Sequence, residues 1–147
     1  MRGPRLGVDV GSVRVGLAVS DPDGILATPL ETVQRATTDG DEPAPDLLRI
    51  AQLVRDLQVV QVVVGLPITL RGTEGPAAAT SRQYAESLAK LIDPVPVVLT
   101  DERMSTAAAT RRLSERGVRG RRQRAVVDQA AAVEILQGWL DTRRRMA

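Results

Sequence analysis

Apolar residues in this chain fall into short runs whose spacing alternates between strand-like and helical. Arg5–Val10, Val15–Ser20 and Ile25–Val33 read as three strands in quick succession, the first two joined through Gly11-Ser12 as a hairpin. The polar segment Ala36–Pro45, with its Asp, Gly and Pro, reads as a loop. A helix is predicted over Asp46–Leu57, because Leu47, Ile50, Ala51 and Val54 fall at i, i+3, i+4, i+7 and make one apolar stripe. Val59–Leu66 is a continuous apolar run of the kind found in strands buried on both faces. After the loop Ile68–Pro76, a second helix is predicted over Ala77–Ile92, and a further buried strand over Val95–Leu99, closing on Thr100-Asp-Glu-Arg103. A third helix is expected from Ser105, its N-cap, to Gly117. The last is expected from about Ala125 to Arg144, after an Arg-rich connection, Val118–Arg124.

The order β-β-β-α-β-α-β-α-α implies an α/β fold. Three antiparallel strands, then strands entered through helices, give a mixed five-stranded sheet with helices on its faces. With 147 residues and neither repeat nor internal linker, one domain over 1–147 is expected. The start lacks a signal-peptide pattern and no apolar run reaches membrane-spanning length, so a cytoplasmic location is expected.

Composition narrows the chemistry. The chain has no Cys and no His, which removes disulfides, thiolate sites, His-based triads and His-ligated zinc. Chemistry has to rest on carboxylates, Lys, Tyr or hydroxyls, and a metal would be a hard cation held by oxygen. One Trp, one Tyr and no Phe leave the core to Val, Leu, Ile and Ala, with no aromatic platform for stacking bases. Net charge is only +2, and Lys90 is the sole lysine among many arginines. Base composition of the genome explains that bias in total; its clustering is what bears on function.

Three carboxylates occupy apolar elements. Asp9 lies at or near the end of the first strand, where burying an acid costs several kcal/mol unless it is paired or ligates a metal. Asp101-Glu102 follows the strand Val95–Leu99, beyond a strand end, where ligands gather in open sheets with crossover helices, and Glu102 is one of its two acids. Asp128 falls in the first turns of the last helix and shares a helix face with Ala132, Ile135 and Trp139. Brought together, such acids would repel one another and raise one another's pKa, which divalent cations relieve. Two Mg²⁺ ions about 3.5–4 Å apart on carboxylates suit phosphodiester hydrolysis and need neither His nor Cys. The structural alternatives are a turn residue for Asp9, a surface acid for Glu102 and a helix-dipole residue for Asp128. Asp101 reads equally as a strand-end cap or partner of Arg103 and as a functional acid, and Glu74 reads as a structural or solvated acid.

Seven arginines stand between Arg111 and Arg124. Helix-end electrostatics account for Arg111, Arg112 and Arg116. Arg119, Arg121, Arg122 and Arg124, assigned to the connection, read instead as a phosphate clamp beside the Asp128 helix. The run Arg143-Arg144-Arg145 reads as a solvated, frayed terminus.

Five segments resemble, in order and spacing, the YqgF/RuvX family of bacterial proteins. They are Gly7-Val-Asp9-Val-Gly11-Ser-Val-Arg14-Val-Gly16, Val62-Val-Val-Gly-Leu-Pro67, Gly72-Thr-Glu74, Asp101-Glu-Arg-Met-Ser-Thr106 and Val127-Asp128-Gln-Ala-Ala-Ala-Val133-Glu-Ile-Leu136. The resemblance runs from about Leu6 to Leu140. It implies an RNase H-like fold, kinship with RuvC Holliday junction resolvases, and metal-dependent endonucleolytic maturation of the 5′ end of pre-16S rRNA. It places Asp9, Glu102 and Asp128 at the family's three acidic positions, as catalytic and metal-holding groups for Mg²⁺ or Mn²⁺. Arg14 matches a basic position suited to a phosphate contact. The loop Pro67–Gly72 departs from the family's Asn-Met-Asp-Gly version, with Thr69 for Asn and Arg71 for Asp, and stays outside the catalytic set.

The expected partner is nucleic acid, either precursor rRNA within ribosomal particles or branched DNA, with the choice between monomer and homodimer open. Resolution of junctions in recombination and repair is one alternative; a non-catalytic nucleic-acid binding module is another, marked by loss of an acid, yet all three remain. Actin-like ATPases and sugar kinases share an Asp-x-Gly hairpin but need two such halves, and this chain has one.

Overall fold

The computed structural model describes residues 1–36, 43–107 and 121–146; for 121–126 and Asp128 it describes the helical backbone alone. Five strands, β1 (Arg5–Val10), β2 (Arg14–Ser20), β3 (Ala27–Gln34), β4 (Gln61–Leu66) and β5 (Val97–Asp101), form one sheet in the order β3-β2-β1-β4-β5. The β1–β2 and β2–β3 pairs are antiparallel, and the β1–β4 and β4–β5 pairs are parallel. Helices α1 (Pro45–Asp56) and α2 (Pro76–Ile92) provide the crossovers, a 3₁₀ turn occupies Glu102–Met104, and α3 (Arg121–Met146) ends the described chain. This is the mixed α/β sheet that the sequence predicts.

Side-chain alternation splits the sheet into two unlike faces. Leu6, Val8, Val15, Leu17, Val62 and Val64 pack with α1 and α2, through Ile50, Val54, Tyr84 and Leu88. The other face carries Ala18 and Val63 against Ala131, Ala132, Ile135, Leu136 and Leu140 of α3. Gly7 belongs to this second face: a Cβ added there would stand 2.7 Å from Leu136 Cβ and 3.0 Å from the Ala132 carbonyl oxygen. Glycine at this position lets the helix backbone come close to the sheet.

Several boundaries shift for local reasons. β3 begins at Ala27 rather than Ile25 because the Asp21 carboxylate accepts the backbone N–H groups of Asp23, Ile25 and Leu26 and holds 23–26 in a turn. β4 begins at Gln61, since Val59 N–H bonds the Val54 carbonyl and closes the end of α1. β5 spans Val97–Asp101 instead of starting at Val95, whose N–H closes a turn onto Ile92. α3 starts at Arg121 rather than Ala125, so Arg121, Arg122 and Arg124 lie on the helix and not in the connection expected for them. Most of the expected helix Ser105–Gly117, and Arg119, lie outside the described residues, as does 37–42 of the loop.

Candidate active site

Asp9 stands on β1 two residues beyond Gly7, hence on the α3 face, and is 2% exposed. The chain enters β1 through a parallel pairing with β4 that ends at Val8–Val64. One step further on, Asp9 and Gly65 share a row, about 4.8 Å apart across the strand spacing. On the far side of Gly65, the β4–β5 register runs Gly65–Thr100 and Leu66–Asp101. Glu102 follows immediately.

The 3₁₀ turn sorts the two adjacent acids. Asp101 accepts the Arg103 backbone N–H at 2.9 Å and the Arg103 guanidinium at 2.7 Å, which holds its carboxyl below the usual range. Its role is thus cap and ion-pair partner. Glu102 turns inward and is 3% exposed. Its Oε1 hangs over Gly65, where an added Cβ would lie 3.2 Å from it. Burial, with a contribution from the Asp101 charge, pushes the Glu102 carboxyl up to about 7. α3 presses on this turn through Gly138, where an added Cβ would meet the Met104 carbonyl oxygen at 3.0 Å. Two buried acids therefore lie at the C-terminal ends of β1 and β5, Glu102 against Gly65 of the strand between them.

The course of α3 locates Asp128. Leu136 and Ala132 lie over Gly7, and Gln129 reaches Thr32 of β3 with Nε2 to Oγ1 at 3.0 Å. Thr32 pairs with Gly16, and Gly16 with Asp9. Helix position 129 thus overlies the row that contains Asp9, and Asp128 is its neighbour in the chain. The Asp128 side chain lies outside the described residues. Among the described residues, no three acids form a group that could hold a metal ion. Asp9 and Glu102 are both buried, and both offer oxygen donors that fit a hard divalent cation. A carboxyl driven up by burial at such a place favours a compensating positive charge.

The hairpin after Asp9 is tight: Gly11 N–H bonds the Arg14 carbonyl at 2.9 Å, and a Cβ on Gly11 would stand 2.6 Å from that oxygen. Arg14 opens β2 beside this tip. Sequence reasoning missed a second arginine there. Arg35 donates from Nη1 to the Gly11 carbonyl at 3.0 Å, and its guanidinium carbon lies 5.8 Å from the centroid of the Tyr84 ring. Tyr84 in turn donates its hydroxyl to the buried Asp46 at 2.7 Å, and burial, together with that bond, raises its pKa. The available signal was the sole tyrosine on the apolar stripe of α2, whose hydroxyl needs a partner once buried.

Further expectations have outcomes. Glu74 pairs with Arg82 through both carboxylate oxygens at 2.6 and 2.7 Å, a structural role. The divergent loop closes on itself, with Thr69 Oγ1 2.7 Å from Thr73 Oγ1 and Gly72 at φ +83°. The arginine run near the C-terminus is solvent-exposed, as expected, but helical rather than frayed. α3 continues to Met146, Arg143 donates to Gln61 Oε1 at 3.1 Å, and Arg144 bonds the Ile25 carbonyl and Asp141. Among the described residues, no helix is long and apolar enough to cross a membrane.

With this geometry in place, comparison with known proteins is informative. A family model described as "RuvX: Holliday junction resolvase" matches residues 3–142. A protein of Rhodococcus opacus named "Putative pre-16S rRNA nuclease" is 57% identical over 144 residues, covering 98% of this chain and 80% of its own length. A Nocardia farcinica protein of the same name is 57% identical over 143 residues, covering 97% of this chain and 79% of its own. Among solved structures, Thermus thermophilus RuvC in complex with a Holliday junction substrate aligns with a TM-score of 0.57 at 18% identity, covering 97% of this chain and 96% of RuvC. That similarity extends to the fold.

Proposed function

This chain belongs to the RuvX family, and from that premise we propose that it is a divalent-metal-dependent endonuclease whose substrate is the 5′ region of precursor small-subunit rRNA. The observation that carries the reading is the pair of buried acids, Asp9 and Glu102, at the C-terminal ends of β1 and β5 on either side of β4. Asp128, on the helix overlying the Asp9 row, completes the acidic set. One nuclease domain over 1–147, working in the cytoplasm, is part of the same reading.

Mg²⁺ or Mn²⁺ held by Asp9, Glu102 and Asp128 would polarise the phosphoryl oxygens and acidify a water. The chain's own residues do the rest. The sheet ends fix the acids, and the small residues Gly7, Gly65 and Ala132 set how near α3 comes to them. Arg14, with Arg119, Arg121, Arg122 and Arg124, holds the phosphate backbone. Attack of water on phosphorus breaks the bond to the 3′ oxygen and leaves a 5′-phosphate on the downstream fragment. Affinity built on arginine–phosphate contacts falls steeply with salt.

The description of the family favours a second reading, resolution of branched DNA. That reaction cuts two symmetric strands and calls for a two-fold dimer. The test is cleavage of a labelled pre-rRNA 5′ region and of a four-way DNA junction, with Mg²⁺ and with EDTA. Metal-dependent cutting of the RNA alone is expected. Cutting of the junction alone would replace rRNA maturation with DNA resolution, and binding without cutting of either would make the chain a binding module.

A further inference from the structure

Arg143 and Arg144, near the end of α3, each hydrogen-bond to the body of the molecule, at Gln61 and Ile25. A cavity of about 160 Å³ lies there, lined by Arg5, Asp23, Gly24, Trp139, Leu140, Arg143 and Arg144. A shallower one of about 470 Å³ adjoins it along Trp139, Thr142, Arg143 and Met146. Arg143 lies over the indole of Trp139, its guanidinium carbon 5.1 Å from the ring centroid.

Three guanidinium groups share the smaller cavity. Arg5 is 8% exposed, donates to the carbonyls of Gly3 and Met1 at 3.0 and 2.7 Å, and leaves its Nε without a hydrogen-bond partner among the described residues. Arg143 hydrogen-bonds a neutral amide, Gln61. Neither has a carboxylate partner among the described residues. Burial, and then the nearness of Arg143, holds the Arg5 pKa below its ordinary value. The nearby acids are already engaged: Asp23 with Arg2 at 2.7 Å, Asp141 with Arg144, and Asp21 with backbone N–H groups. Positive charge is in excess where an aromatic face is also present. That is the composition of a site for a phosphate with its base, guanidinium on the anion and indole against the ring.

We propose that this cleft is a second nucleic-acid contact, which anchors a phosphate and a stacked base of the substrate strand away from the cleavage site. The inference rests on the nuclease reading for the identity of the ligand. Position 143 lies fifteen residues along α3 from Asp128, about 22 Å at helical rise. An anchor there sets the register of the cut relative to bound flanking sequence, without a base-reading motif.

Trp139 is the only tryptophan, so its emission reports on the cleft directly. The full chain is titrated in EDTA with a 5′-phosphorylated, 12-nucleotide RNA carrying a 3′ dye. Anisotropy and Trp139 emission are followed together. Saturable quenching with the same midpoint as the anisotropy is expected. The double variant Arg143→Ala, Arg144→Ala, its fold checked by circular dichroism, should bind about ten-fold more weakly, with a salt slope lower by about two. Binding that leaves Trp139 silent and the double variant unimpaired overturns the anchor and leaves the nuclease reading intact; a cleft serving a protein partner gives that result. Quenching in a chain that cuts no substrate supports the anchor and overturns the nuclease reading instead. A chain that binds no RNA by either readout overturns both.

Discussion

The two faces of the sheet are built on opposite packing strategies. Against α1 and α2 the sheet presents Leu and Val, and the helices answer with Ile50, Leu88 and Tyr84. Against α3 it presents Gly7, Ala18 and Gly65 beside Val63, and the helix answers with Ala131 and Ala132 beside Ile135, Leu136 and Leu140. Large side chains maximise buried apolar area and keep helices near the usual ~10 Å packing distance. Small ones give up that area to bring a helix backbone close. The close face is also where Asp9 and Glu102 lie. Both faces bury large aliphatic side chains, but only on the α3 side do small residues set the geometry around the acids.

Mutations that respect this division should separate folding from chemistry. The largest stability effect belongs to the aliphatic face: Leu88→Ala should lower unfolding free energy by about 2–5 kcal/mol in urea titration. Cleavage per folded molecule should stay at the wild-type rate, and a rate that falls with stability would show that the faces are not independent. Next is a pH effect in the chain kept free of metal by EDTA. Glu102 titrates near 7 in the fold and near 4.5 when unfolded, so the folded state binds the extra proton between those values. The stability this contributes is fully present below about pH 4.5 and is lost as pH rises through about 7, on the order of 3 kcal/mol in all. Glu102→Gln should flatten that slope, and an unchanged slope in the variant would assign it elsewhere. Smallest is Gly7→Ala, which forces apart Leu136 Cβ and the Ala132 carbonyl, neither the end of a flexible side chain. It should cost about 1–3 kcal/mol and, unlike Leu88→Ala, also slow cleavage per folded molecule, because it lifts α3 from the acids. Retained cleavage would mean that the close approach of α3 is not needed.

What could be read from the sequence follows the same division. Runs such as Gln61–Leu66 and the i, i+3, i+4 stripe of α1 reveal buried elements because periodicity is local. Asp9 and Glu102 stood out because an acid on an apolar element needs a reason. Neither the Arg35–Gly11 contact nor the Tyr84–Asp46 bond has a local signature, since each joins residues at least 24 positions apart. The arginines at the end of α3 misled for a related reason. The run is exposed, as a basic helix end normally is, but Arg143 and Arg144 also reach Gln61 of β4 and Ile25 of the 23–26 turn, both distant in sequence. Boundaries moved where a side chain such as Asp21 captured backbone N–H groups that the apolar pattern had assigned to a strand.

The account stands on Asp9 as a member of the reaction centre, not a buried structural acid. Its most direct test compares cleavage and binding by wild type and Asp9→Asn, side by side in Mg²⁺, on the same labelled pre-rRNA. The account predicts that the variant binds with nearly wild-type affinity and cuts at least a hundred-fold more slowly. Undiminished cleavage by a folded Asp9→Asn would contradict it.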